Sequence, residues 1–266
     1  MESASYKRIG LIVAVVVCAG FTWITAKTWL DDPLRFSDWL QPAWPALAVT
    51  ILAAVAGVAF TLLESRWDRL AAILASWAVF IAFWAPDIWY VTALPLFGLL
   101  WYESSRRMRD DMNDRRTVRI NAALGRGVKL ILLGAFLMVS VGFYLLPANR
   151  AADIGTLSKG IQSGLDDAYD TAIVRDQLSQ LPVSLQAQFK QDLAKSVDGF
   201  VHEQLGQWGN YVPPFLAFAL FLAFWSVSFI FRELAIWLGV LLFTLFKVTG
   251  FIKVGERDVK AEVLSL

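Results

Sequence analysis

Few residues in this chain could do chemistry. There is one histidine, His202, and one cysteine, Cys18. Zinc sites of the HExxH or Cys-rich types need several such ligands, so neither can be assembled. A single cysteine also excludes an intrachain disulfide. Acid–base work by histidine would rest on His202 alone. It sits beside Val201 with no second histidine or cysteine nearby, which reads as a surface or packing residue. The sequence holds no GxGxxG, P-loop, GxSxG or HExxH pattern. It places no pair of carboxylates inside an apolar run. No catalytic residue, metal ligand or cofactor site is expected, and an enzyme is the weakest class.

Three isolated residues remain as intramembrane or interfacial candidates. Asp87 follows Pro86 and lies between Trp84 and Trp89. A carboxylate within a bilayer marks a proton or ion site. Flanked by proline and interfacial tryptophans, it reads more simply as an external turn. Pro95, inside an apolar run, should kink a helix and leave the Val91 carbonyl without its usual donor. Lys247 lies near the end of the last apolar run, where its long stem can snorkel to the interface. With Ser226 and Ser228, these are the only groups that could begin a polar path.

The elements that must position them are membrane helices. The chain is 57% hydrophobic and 18% charged, against about 25% charge in a soluble domain. Net charge is +1, so no field points to nucleic acid. Apolar runs cover residues 9–26, 43–63, 70–85, 88–102, 130–146, 215–231 and 234–252. They are read as seven spans, the last two runs each being long enough alone. The first follows Lys7 and Arg8 and lacks a good cleavage site, so it reads as a retained signal-anchor rather than a signal peptide. Arg232 and Glu233 would form a tight turn between the last two spans. The alternative is one long bent helix with a single crossing, which would move the tail to the other side.

The stretch 103–129 sets the orientation. It carries Arg106, Arg107, Arg109, Arg115, Arg116, Arg119, Arg126 and Lys129 against four acidic residues. Such a loop stays cytoplasmic, and that places the N-terminus in the cytoplasm. Arg106 with Asp110, and Arg107 with Asp111, are spaced i, i+4. The spacing predicts a solvated helix continuing from the fourth span. Arg106, Arg107, Arg115 and Arg116 could dock anionic lipid, or serve only as a topology anchor.

Small residues line two helix faces: Ala46, Thr50, Ala53, Gly57 and Thr61 on the second span, and Ala71, Ala75, Ala78 and Ala82 on the third. Small faces allow close approach in lipid. The expectation is an antiparallel hairpin in which Ala53 and Gly57 meet Ala75 and Ala78.

Residues 148–211 form the one sizeable hydrophilic segment, with acidic residues in excess, as expected outside. Pro182 divides two amphipathic helical patterns. The second presents Leu185, Phe189, Leu193, Val197, Val201 and Leu205 at steps of four, and then Trp208 at a step of three. The stripe is a candidate partner face. The expected fold class is therefore all-α: a polytopic integral membrane helical bundle of about seven spans with an extracytoplasmic helical hairpin. It divides into a five-span segment 1–147, the external segment 148–211 and a two-span segment with tail 212–266. The expected function is a non-enzymatic scaffold or assembly factor in the plasma membrane that binds a membrane or extracytoplasmic protein through its external segment. The competing class is a channel or secondary transporter.

Overall fold

A computed structural model describes residues 2–30, 43–84, 88–114, 119–146, 192, 195–196, 199, 203 and 211–252. The described residues form six helices and no strand. They are α1 (Glu2–Leu30), α2 (Ala43–Leu62), α3 (Arg66–Trp84), α4 (Ile88–Asp114), α5 (Ile120–Leu145) and α6 (Val212–Val248). All but α4 are long and apolar enough to cross a membrane. α4 is apolar only in its first half and charged in its second.

Local sequence explains the boundaries. Pro45 falls in the first turn of α2, and Pro213 and Pro214 in that of α6; N–H groups there have no intrahelical acceptor, so nothing is lost. Ser65 begins α3, its Oγ accepting from the Trp67 N–H at 3.2 Å, a hydroxyl N-cap. α6 ends where Gly250 takes φ +71°, the left-handed conformation that turns a chain out of a helix. The Ile252 N–H then folds back onto the Phe246 carbonyl at 3.1 Å.

α6 differs from the expected pair of spans. It runs unbroken through Arg232 and Glu233. The two side chains pair with each other at 2.6 Å on the helix surface. Both are good helix formers, and no glycine or proline lies between residues 215 and 238, so nothing interrupts the backbone. At about 1.5 Å per residue, its 37 residues extend roughly 56 Å, well beyond a hydrocarbon core of about 30 Å. The far end of α6 comes back to the start of α1. Lys7 Nζ donates to the Phe251 carbonyl at 2.7 Å and lies 5.1 Å from the Phe251 ring centroid. Residue 251 therefore lies beside the N-terminal end of α1.

α2 is the most enclosed helix, in contact with α1, α4, α5 and α6; α3 closes the bundle between α1 and α4. The expected α2–α3 hairpin face is absent. α1 packs on both helices, and they make little contact with each other. Ala78 is exposed and Ala75 half-buried, as they lie on a turned-out face of α3 with Ala71 and Ala82. Ala53 and Gly57 are buried, but Gly57 receives Leu124 and Val128 of α5 and Met108 of α4. The physical reason is bulk. Trp23 of α1 fills the space beside α3 with an edge contact to Phe80 at 5.0 Å, while the small face of α2 accepts large side chains from elsewhere. Thr22 Oγ1 ties α1 to α2 through the Ala48 carbonyl at 3.1 Å.

Candidate functional site

The tightest construction is the α4–α5 seam. Leu94, Phe97, Trp101, Ser104, Met108 and Asp111 recur at helical spacing on α4 and are all buried. Opposite them α5 offers glycines. A Cβ at Gly134 would stand 2.8 Å from Trp101 Nε1, and one at Gly127 would overlap the Met108 side chain and lie 2.9 Å from Ser104 Oγ. Gly142 faces Trp84 of α3 at 2.5 Å. The backbones are close enough for side chains to bond across. Trp101 Nε1 donates to the Ile131 carbonyl at 3.1 Å and Ser104 Oγ to the Gly127 carbonyl at 2.9 Å. Trp101 is further held by Phe97 and Phe60, with ring centroids 4.5 and 5.9 Å away.

Charge gathers where α1 begins and α2 ends. Arg109 Nη1 donates to the Thr61 carbonyl at 3.1 Å and Arg69 Nη1 to the Leu63 carbonyl at 3.4 Å. Two cations thus serve the C-terminal carbonyls of α2, where the helix dipole favours them. Arg8 lies 3.9 Å from Asp68. Of the expected i, i+4 pairs, Arg106–Asp110 forms at 3.6 Å. Arg107 instead pairs with Glu103, one turn earlier, at 2.9 Å. Asp111 is only 2% exposed and turns into the bundle, where Arg126 of α5 reaches it at 2.8 Å. Part of the basic stretch is therefore internal fastening.

Two cavities follow one another along α5 and α6. The first, about 370 Å³, is apolar and is lined by Ala93, Ser140, Tyr144, Ala217, Phe218 and Phe221, among others. The Ser140 hydroxyl is buried there and has no hydrogen-bond partner. The second, about 260 Å³, is lined by Lys129, Leu132, Trp225, Ser226, Ser228, Phe229 and Arg232. Lys129 Nζ stands 5.0 Å from the Trp225 ring centroid, a cation–π distance.

The candidates from sequence are not brought together. Pro95 lies within an uninterrupted α4, on its exposed side, and lines neither cavity. Lys247 is exposed in the last turn of α6, where it complements the helix dipole. Ser226 and Ser228 do share the second cavity, the former donating to the Ala223 carbonyl at 2.8 Å. Asp87, Arg115, Arg116, His202 and the stripe Leu185, Phe189, Leu193, Val197, Val201 and Leu205 lie outside the described residues. Among the described residues, no three His, Cys, Asp or Glu side chains gather as a metal site. Sequence reasoning missed the α5 glycines. Their signal was present, since Gly127 and Gly134 are one heptad apart and Gly142 follows on the same face.

The fold and its surfaces define a class: an all-helical bundle with several helices able to cross a membrane, consistent with an integral membrane protein. No family model matches the sequence, and neither a curated protein nor a solved structure matches the chain.

Proposed function

We propose that this is a multi-pass, non-enzymatic scaffold or assembly factor of the plasma membrane, which offers residues 148–211 to a partner on the outer side. The observation that carries this reading is the filled core. The space between helices is taken by Trp23, Phe60, Phe80, Phe97, Trp101 and Met108, all essentially inaccessible. The buried hydroxyls of Thr22, Thr50, Thr61, Ser76, Ser104 and Ser105 are spent on backbone carbonyls. A carrier needs polar groups continuing along a path; those of the second cavity, Lys129, Ser226, Ser228 and Arg232, are followed by a cavity with an apolar lining.

The orientation follows from charge. Lys7, Arg8, Arg66, Arg69, Arg109 and Arg126 sit at the end of the bundle where α1 begins, and the Lys7–Phe251 contact brings the end of α6 there too. Lysine and arginine mark the cytoplasmic side. With six crossings, Lys253, Arg257 and Lys260 join them, and the positive tail agrees with the rule that a seventh crossing would break. α4 is less apolar than the rest. Packed against α5, α2 and α3, it needs less apolar surface to sit in a membrane than a helix facing lipid all round.

Photocrosslinkers at Phe189 and Leu193 in intact cells test the scaffold. Capture of one dominant protein is expected, and capture of its own chain alone would overturn the reading. Solute flux in liposomes that is lost in Asp87→Asn or Lys247→Met would instead favour a channel or carrier.

A further inference from the structure

We propose that the α5–α6 seam binds one anionic phospholipid, its phosphate at Lys129 and Arg232 and an acyl chain along the apolar cavity above. The two cavities occupy one face of α6, since Phe218, Phe221, Trp225, Phe229 and Arg232 recur at steps of three to four. One part is cationic and the other apolar, the two halves of an amphiphile. Lys129 and Arg232 flank uncharged stretches of the two helices. Residues 130–146 of α5 and 212–231 of α6 carry no charge, and these two cations are the first to follow.

The charges leave an anion wanting. Arg232 is paired with Glu233 at 2.6 Å. Lys129 has no carboxylate partner among the described residues and rests against the Trp225 ring. The trio of two cations and one carboxylate is net positive at an apolar boundary. A phosphate bridging Lys129 and Arg232 would neutralise it, and the Ser228 side chain lines the same cavity. From Arg232 to Phe221 is about 16 Å of helix axis. An acyl chain of about that length would run from the cationic cavity along the apolar one. The unpartnered Ser140 hydroxyl, 5% exposed, lines the apolar cavity, about 16 Å along α5 from Lys129, and so stands beside the acyl chain rather than its ester. The basic face at Arg106 and Arg107 differs from this site in that neither side chain lines either cavity.

The test uses the full-length protein in uncharged detergent, with bound lipid counted by native mass spectrometry. Long-chain phosphatidylglycerol should be retained over phosphatidylcholine of the same chains. Lys129→Met or Arg232→Gln should each lower that preference about fivefold, the effect of one basic residue on an anionic head group. Arg106→Gln should leave it unchanged, and the doubly conservative variant K129R/R232K should keep it. Dihexanoyl phosphatidylglycerol and inorganic phosphate should fail to compete, since neither fills the apolar cavity. Equal retention of the two long-chain lipids by the wild-type protein would overturn the proposal without any variant. So would competition by inorganic phosphate, or an equal loss in Arg106→Gln and Lys129→Met.

Discussion

Gly134→Ala isolates the closest helix contact in the bundle. The added Cβ would lie 2.8 Å from Trp101 Nε1, 2.9 Å from Cδ1 and 3.2 Å from Phe97 Cδ2. Real Cβ atoms do not approach so near, so something must move. A methionine could slide away; Trp101 cannot. It is wholly buried, wedged by Phe97 and Phe60, and its N–H is bonded to the Ile131 carbonyl. Overpacking of this kind costs about 1–3 kcal/mol. If the indole shifts, the interhelical hydrogen bond goes too, at about 0.6 kcal/mol on average within membranes. Alanine returns up to about 1 kcal/mol of helix propensity, leaving a net loss of roughly 0.6–2.6 kcal/mol. Gly125, on the same helix, has nothing within 4 Å of its built Cβ. Gly125→Ala should therefore gain up to about 1 kcal/mol. Unfolding in mixed micelles of increasing SDS, followed by tryptophan emission, measures both. Trp101→Phe in the Gly134→Ala background should recover part of the loss, because the smaller ring vacates the colliding atoms. Equal stabilities of the two alanine variants, or strict additivity with Trp101→Phe, would refute the close approach of α4 and α5.

The remaining predictions concern the other helix contacts and the ends of the bundle. Gly57→Leu should destabilise by about 1–3 kcal/mol through collision with Leu124, and Leu124→Ala should relieve it while Ala78→Gly does not; relief by the α3 change would restore the α2–α3 hairpin. Arg126→Gln exposes a buried carboxylate to loss of one partner and should cost about 1–2 kcal/mol, less than the ~3–5 of a fully buried pair because Arg126 is itself solvated. Arg106→Gln, which breaks an exposed pair, should cost under about 0.5 kcal/mol in the same unfolding assay. In a Cys18→Ser background, single cysteines at residues 5 and 253 should be labelled by an impermeant thiol reagent from the same side; opposite sides would mean that α6 does not carry the chain back to the end where α1 begins.

The sequence by itself determined the helices and their apolar character. Runs of uncharged residues bounded by Lys7, Arg66, Lys129 and the paired prolines before Phe215 left little freedom, because a backbone in lipid must satisfy its own hydrogen bonds. The helical continuation of α4 past Tyr102 and the Arg106–Asp110 pair were likewise local matters of i, i+4 spacing. Tertiary structure alone decided what each face meets. A stripe of alanines says that something can come close, not which helix will, and α1 took the place predicted for α2 against α3. Whether Arg232 and Glu233 turn the chain or decorate a helix depends on the neighbours: α6 packs on both α5 and α2, and a continuous helix makes both contacts at once. The destination of Asp111 was also invisible, since its partner Arg126 lies on another helix. Each cavity is lined by more than one helix, and spacing along a single helix does not announce it. Periodicity fixes which side chains share a face; only packing fixes what that face is pressed against, because in a bundle of apolar helices the choice among partners rests on the shapes of whole surfaces.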